Sequence, residues 1–477
     1  GTPLNATLAG TPAPGTGGTY PLTFTAGNGI PPNSVQNFVL TVNQAPAVTS
    51  ANSLTCIVGV ACSLPIEANG FPLPTIAVGG AALPSGMTFA PGTPGNGLLS
   101  GTPAVGGAGT YAITFTASNG TAPNAVQNFT LTVNPASTTT ALTSATNPSV
   151  FGQSVTFTAT VTPQGTGVPA GTVTFNDGAT AICSNVALDG SAQATCTTSS
   201  LSTASHLMTA VYAGNASFTT STSVAVSQIV NKGNTTTAVT SSANPSNFAQ
   251  SVTLSATVSA TAPAAGAPSG TLTFKDGATT VCGPVALVAA AATCATSTLT
   301  VGSHSITVDY LGDANFNTSS SAALNQVVNK TDTTNALAVA PVSPTVFGQS
   351  VALTSTVAAV APGGGVPTGS VTFLDGATSI GSGALNGAGV ATASTTTLAV
   401  GTHSLTANYA ATTNYNASTS SPAITFVVNK ANTTASTPTS TPNPSVFGQS
   451  VSFSSTVSVT APGAGTPTGT ITFKEGL

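Results

Sequence analysis

The chain has 477 residues, of which 40% are hydrophobic and only 3% are charged, and its net charge is −4. Its basic residues are five lysines, too few for the basic face that nucleic-acid binding requires. The scarcity of charged residues also argues against long helices, whose exposed faces need them. No apolar run reaches the length of a membrane span, and the abundance of Val, Ile and Thr argues against disorder.

The first 134 residues contain one pattern twice. The stretch LAGTPAPGTGGTYPLTFTAGNG at 8–29 returns as LSGTPAVGGAGTYAITFTASNG at 99–120. VQNFVLTVN at 35–43 likewise returns as VQNFTLTVN at 126–134. Residues 1–43 therefore match only the second half of 44–134. We predict a partial module at 1–43 and a complete module at 44–135.

A second, different repeat follows. FGQSV or FAQSV begins at positions spaced by 97, 99 and 100 residues: Phe151, Phe248, Phe347 and Phe447. Each copy continues into a Thr-rich stretch and a Phe-ending strand followed by Asp-Gly or Glu-Gly, and each complete copy ends on Asn-Lys. We predict complete modules at 136–232, 233–330 and 331–430, and a partial one at 431–477. The partial ends predict either a longer chain or pairing of one subunit's end with the next.

The local pattern is that of β-strands throughout. In 154–161, Val155, Phe157, Ala159 and Val161 alternate with threonines, so that the apolar side chains face inward and the threonines outward. The same register holds at 252–258 and at 451–457. About seven short strands per module, separated by Gly, Pro and Asn turns, predict immunoglobulin-type antiparallel β-sandwiches. The predicted fold class is therefore all-β, a tandem array of such sandwiches.

These motifs carry a family resemblance. Residues 136–430 resemble three copies of a bacterial Ig-like repeat of the group 3 type, with FGQSVTFTATV, TFNDGAT and a His-x-x-Thr-x-x-Tyr strand. Residues 44–134 resemble the putative Ig domain of bacterial surface proteins, with LPSGMTF at 83–89 and GTYAITFTASNG at 109–120. The resemblance implies stalks, spacers and adhesive or structural arrays on cell surfaces.

The cysteines form three local pairs: Cys56 and Cys62, Cys183 and Cys196, Cys282 and Cys294. The third group 3-type copy has Gly381 and Ala393 at the equivalent places, so both members of the pair are absent together. A metal site needs three or four ligands, and no His or further Cys lies near any of the pairs in sequence. We predict that the three pairs are disulfides, with Cys183 and Cys196 on neighbouring strands of a hairpin, and that the protein lies in an oxidising, extracytoplasmic compartment.

Other titratable residues recur once per repeat. We interpret each Asp-Gly as a hairpin turn rather than a calcium site, because one carboxylate per module is too few ligands. We interpret His206, His304 and His403 as structural residues at strand starts, since modules about 35–40 Å tall keep them apart. Asp309 and Asp313 form an acidic pair in one copy only, which leaves calcium as an alternative there.

No catalytic motif is present in the sequence. We predict a non-enzymatic structural segment of an extracellular bacterial fibre, filament or cell-surface stalk, without cofactor or metal. Its partners would be further copies of itself or a longer chain, with no nucleic acid and no membrane insertion in this segment. The alternatives are adhesin modules that bind a surface glycan or protein, and a spacer within a larger secreted enzyme.

Overall fold

A computed structural model describes residues 4–476, and every regular element in that range is a β-strand. The predicted all-β class is confirmed. The chain divides into two compact units at Lys232, and the short segment Pro263–Ala265 belongs to the first unit. The two units are described separately below.

The first unit begins with a hairpin that has one uncovered face. Its strands are β1 (Gly18–Ala26) and β2 (Ser34–Val42), paired antiparallel with Gly18 opposite Val42. Phe24 and Phe38 are 45% and 49% exposed, whereas their counterparts 91 residues later, Phe115 and Phe129, are buried. The hairpin has the strand pairing of a complete module without the opposing sheet.

Residues 44–134 form a complete two-sheet sandwich of eight strands. They are β3 (Gln44–Val48), β4 (Ser53–Ile57), β5 (Cys62–Phe71), β6 (Thr75–Gly80), β7 (Met87–Pro91), β8 (Asn96–Gly101), β9 (Gly109–Ser118) and β10 (Ala125–Asn134). One sheet has the order β4-β10-β9-β6 and the other β3-β5-β8-β7. Apolar residues of both sheets meet in one core, including Ile66, Leu99 and Phe115.

The first group 3-type repeat has nine strands. They are β11 (Thr138–Ser144), β12 (Ser149–Val150), β13 (Val155–Pro163), β14 (Thr172–Asp177), β15 (Thr180–Ala187), β16 (Gln193–Thr198), β17 (Ser205–Tyr212), β18 (Ser221–Thr222) and β19 (Val226–Asn231). A sheet with the order β11-β13-β16 faces one with the order β12-β19-β17-β14-β15, in which β18 also pairs with β17.

The second unit contains the next two repeats, which have the same topology. In the second repeat the strands are β20 (Thr235–Ser241), β21 (Ser246–Asn247), β22 (Val252–Ala260), β23 (Thr271–Asp276), β24 (Thr279–Ala286), β25 (Ala291–Thr296), β26 (Gly302–Tyr310), β27 (Ser319–Ser320) and β28 (Leu324–Asn329). In the third they are β29 (Thr333–Ala340), β30 (Thr345–Val346), β31 (Val351–Ala359), β32 (Ser370–Asp375), β33 (Thr378–Ala384), β34 (Val390–Thr395), β35 (Gly401–Tyr409), β36 (Ser418–Thr419) and β37 (Ile424–Asn429).

The predicted strand register is confirmed in the complete repeats. On β13, Val155, Phe157, Ala159 and Val161 are all buried, and the same alternation buries Val252 to Val258 on β22. The outward threonines pair across strands, as where the Thr156 and Thr197 hydroxyls lie 2.9 Å apart. Thr therefore gives the outer face β-propensity and hydrogen bonds without charge.

The last segment departs from the prediction. Within 431–476 the structure has four short strands: β38 (Thr433–Ala435), β39 (Thr439–Thr441), β40 (Ser452–Ser454) and β41 (Val457–Val459). Phe453, predicted to face a core, is 59% exposed, and the strand expected at 471–473 does not form. This strand does not form because its pairing partners are missing. In complete repeats it is hydrogen-bonded to β15 and β17 or their equivalents, and residues 431–476 contain no such strands.

A buried glutamine distinguishes the repeats. Gln228 donates to the Ser149 hydroxyl over 3.1 Å and accepts from the Ser144 hydroxyl over 2.6 Å. In the third repeat Phe426 takes this place opposite the histidine of the neighbouring strand. Thr345, the counterpart of Ser149, is buried there and its hydroxyl has no hydrogen-bond partner among the described residues.

Replacing Thr345 by Val should stabilise the third repeat. The change removes an unpaired buried hydroxyl while keeping a β-branched shape, and we expect about 1 kcal/mol of added stability. Ser149→Ala, the matched control, should destabilise the first repeat by about the same amount because it removes a hydrogen bond. Hydrogen-exchange mass spectrometry on the full chain reports each repeat separately. Faster exchange in 331–430 with Thr345→Val would contradict the expectation.

Candidate functional site

The recurring polar feature of the three repeats is a histidine–aspartate pair. His206 Nδ1 lies 2.7 Å from Asp177 Oδ2, and His304 lies 2.7 Å from Asp276. His403 lies 2.6 Å from Asp375 in the third repeat. The fold produces this contact because the aspartate ends one strand and the histidine lies near the start of the strand hydrogen-bonded to it.

The other ring nitrogen has a second acceptor. His206 Nε2 lies 2.9 Å from the Ser202 carbonyl oxygen, and the equivalent distances are 2.8 Å for His304 and 2.7 Å for His403. A carboxylate and a carbonyl oxygen both only accept, so both contacts become hydrogen bonds only when the ring carries two protons. The geometry therefore favours the imidazolium form.

The pKa of each histidine follows from two opposed effects. Burial disfavours the charged ring and lowers the pKa. The hydrogen bonds to the backbone carbonyl and to the aspartate raise the pKa, as does the negative charge of the aspartate, and together they exceed the effect of burial. The pKa values of His206, His304 and His403 are consequently raised above 6.5. Each pair therefore links two neighbouring strands, and the interaction is strongest when the histidine ring is charged.

The Asp-Gly turn predicted from the sequence is confirmed. Asp177 pairs with Thr180 across the turn between β14 and β15, and Gly178 has a φ of 55°, the left-handed conformation that favours glycine. The pairing of the same aspartate with His206 was not predicted. The signal was nevertheless present, since the His and Asp recur together once per repeat at a separation of 28 or 29 residues.

The acidic pair of the second repeat has separate protein partners. Asp309 forms an ion pair with Lys275 at 2.6 Å. Asp313 accepts from the backbone and hydroxyl of Ser269 at 2.8 and 2.6 Å and from two further amides. Burial would raise the pKa of Asp313, but these donors lower it to about 2. Among residues 4–476 no group of three or more His, Cys, Asp or Glu is arranged to hold a metal ion.

The cysteines are joined as three disulfides: Cys56–Cys62, Cys183–Cys196 and Cys282–Cys294. The expectation that Cys183 and Cys196 lie on neighbouring strands of a hairpin is wrong. Cys183 lies on β15 and Cys196 on β16, and these strands belong to opposite sheets. The chain crosses between the sheets after β15, because β16 pairs with β13 rather than with β15. The disulfide thus ties one sheet to the other.

No helix long and apolar enough to cross a membrane occurs within the described range.

The histidine pairs predict that the repeats gain stability as the pH falls from about 8.5 to about 6. The pKa of each histidine is raised in the folded state. The contribution of the pairs to the free energy of unfolding is therefore fully present below the pKa of 6.5 in the unfolded chain, and it is lost as the pH rises through the pKa in the folded state. Calorimetric melting of the full chain at both pH values measures this shift.

The control for the pH experiment is the triple variant His206→Gln, His304→Gln, His403→Gln, which cannot titrate in this range. It should show a smaller difference in melting temperature between the two pH values than the unsubstituted chain. Equal pH dependence of the two proteins would exclude the histidine pairs as its source.

Removing the disulfide of the second repeat should destabilise that repeat by roughly 3 kcal/mol on the loop-entropy model. The double variant Cys282→Ala, Cys294→Ala leaves small side chains, as Gly381 and Ala393 do in the third repeat. Hydrogen exchange should accelerate in 233–330. The matched variant Ala393→Ser, which alters the disulfide-free position, should leave 233–330 unchanged, and equal protection in the double variant and the unsubstituted chain would refute the expected loss.

Comparison with known proteins agrees with this architecture. A model of the bacterial Ig-like domain (group 3) matches residues 142–231, 239–329 and 337–429, and a putative Ig domain model matches 45–134. No curated protein matches the chain.

Solved structures with similar strand arrangements include tandem domains from titin, at 13% identity and a TM-score of 0.29 over 60% of this chain and 99% of that one. The N-terminal eight Ig domains of Down Syndrome Cell Adhesion Molecule match at 13% identity and a TM-score of 0.25, covering 89% of this chain and 62% of that one. Fibronectin(III)-like modules of Clostridium thermocellum CbhA match at 17% identity and a TM-score of 0.19, covering 40% of this chain and 94% of that one.

The group 3 matches span more than half of the 477 residues and follow one putative Ig domain. The chain belongs to the bacterial Ig-like domain (group 3) family.

Proposed function

We propose that the chain is a structural spacer in an extracellular bacterial fibre or cell-surface stalk. Tandem bacterial Ig-like modules are structural or adhesion-type extracellular modules, and the spacer role is the more specific inference. The proposal rests on the observation that these polar side chains bond within their own repeats. Each His–Asp pair links two strands of one repeat, and Asp313 binds a loop of its own repeat.

The composition of the surface supports a mechanical role. Outward strand positions carry mainly Thr and Ser, which form β-structure without creating strong charge fields. Disulfides join the two opposing sheets in the 44–134 module and in two of the repeats, and such bonds persist in oxidising compartments outside the cytoplasm. The disulfides and the His–Asp pairs hold the modules together through contacts within the chain, as a spacer requires.

The adhesin alternative would be favoured by aromatic side chains grouped in exposed loops. In the complete modules of the described range the strongly exposed aromatics are not grouped, since Phe347, in a turn of the third repeat, is the only one there. The others lie in the partial modules: Tyr20, Phe24 and Phe38 in the first, and Phe447, Phe453 and Phe473 in the last. This distribution favours the spacer over a glycan-binding or protein-binding module.

Immunogold electron microscopy of intact cells tests the proposal. An antibody raised against the full 477-residue chain should label filaments or stalks on cells that have not been permeabilised. Sheared material from the same cells should carry the label on elongated particles. Label that appears only after permeabilisation would overturn the proposed location, and label confined to compact secreted particles would favour the spacer of a secreted enzyme.

A glycan array probed with the purified full chain separates the spacer from the adhesin. A spacer should show no saturable binding to any glycan. Specific binding that is retained at high salt would replace the proposed function with adhesion, because salt suppresses nonspecific electrostatic contacts.

A further inference from the structure

The sequence F-A-Q at 248–250 forms a tight turn just after β21. The Phe248 amide donates to the Asn329 carbonyl of the same repeat over 2.8 Å. The Gln250 side-chain oxygen accepts from the Asn247 amide over 2.8 Å, and the Gln250 amide donates back to Asn247 over 3.0 Å. These bonds hold the turn within the second repeat and leave the Phe248 side chain and carbonyl pointing outward.

The outward groups of Phe248 contact the third repeat. Its ring lies 5.6 Å from the Tyr415 ring in an edge-to-face arrangement and packs on the buried core of the third repeat. Its carbonyl accepts from the Thr331 hydroxyl over 2.8 Å and from the Gly364 amide over 3.2 Å. One residue thus makes an apolar contact and two hydrogen bonds to the following module.

The loop that receives Phe248 is shaped for close approach. A Cβ at Gly363 would clash with the Thr331 hydroxyl, and one at Gly365 would lie 2.5 Å from the Tyr415 hydroxyl. The Tyr415 hydroxyl donates to the Gly364 carbonyl over 3.0 Å and fixes the loop. Glycine is therefore needed at these positions because larger residues would separate the loop from the groups it contacts.

The first unit contains a similar junction with different side chains. The Gly59 carbonyl, in the turn after β4, accepts from the Thr166 amide over 2.9 Å and lies 3.2 Å from its hydroxyl. The Ser217 hydroxyl accepts from the Gly106 amide over 2.8 Å. A turn of one module again bonds to the corresponding loop of the next.

The last copy of the motif provides an internal comparison. The turn at 447–449 has the same internal hydrogen bonds, with Val446 donating to the Gln449 side chain over 3.1 Å. The Phe447 ring, however, is fully exposed, at 109%. The turn thus forms without any cover over its aromatic ring, whereas the Phe248 ring is covered where it meets Tyr415.

We propose that the F-A-Q turn is a docking element whose partner is the loop at 361–366 of the following Ig-like module, and that Phe248 fixes the orientation of the second repeat on the third. This inference rests on the proposed spacer function, because fixed angles between modules matter for a chain that separates other parts of an assembly. The docking itself depends only on contacts within the chain, so its test is independent of where the protein is located.

Phe248→Ala in the full chain is the first test, with Phe447→Ala as the matched control. Hydrogen exchange in peptides covering 361–366 should accelerate about tenfold with Phe248→Ala, because the Gly364 amide loses its ordered acceptor. Trypsin should also cut faster after Lys330, whose side chain is anchored to the Thr412 carbonyl beside the junction. Phe447→Ala should change neither rate.

Thr331→Val is the second test and keeps the size and branching of a fully buried side chain. It removes only the hydroxyl that bonds Phe248, so the third repeat should keep its protection in β31 and β35 while exchange at 361–366 rises. Unchanged exchange at 361–366 in both variants would overturn the docking proposal. Loss of protection throughout 331–430 in both variants would also overturn it, since the contacts would then serve the stability of that repeat alone.

Discussion

Face-to-face packing of two sheets is the constraint on which the rest of this protein depends. A strand hides only every second side chain, and those side chains are covered only by an opposing sheet. In complete repeats Phe157 from one sheet and Phe175 from the other are entirely buried. At the two ends, where one sheet lacks its opposite, the same strand pattern leaves aromatic rings in contact with solvent and some predicted strands do not form.

The sequence predicted the local part of this structure well, because alternation within a strand is a local property. The inward set on β13 and the Asp-Gly turn follow from short-range pattern, and the recurrence of the same strands in three repeats follows from internal repetition. Prediction was poorer where distant segments decide the outcome. The bond between Cys183 and Cys196 was placed within a hairpin because their strands are consecutive, whereas strand pairing puts them in opposite sheets.

The histidine–aspartate contact was missed for the same reason. Each residue had a sufficient local explanation, and only the pairing of β14 with β17 brings Asp177 and His206 together. A constant separation of two titratable residues across diverged repeats was the available signal. The family match gave the fold of the array, but a contact of this kind requires the register of the strands.

The cores of neighbouring repeats are chemically different, and this difference bears on how the chain folds. Tandem domains of one topology are prone to exchange strands with their neighbours during folding. Here an exchange of β25 with β34 would place Cys294 in the disulfide-free repeat and leave Cys282 facing an alanine. An exchange of β28 with β37 would put Phe426 where Gln326 bonds Ser246. Each mismatch penalises the swapped product, so the divergence of these repeats favours self-pairing over misassembly.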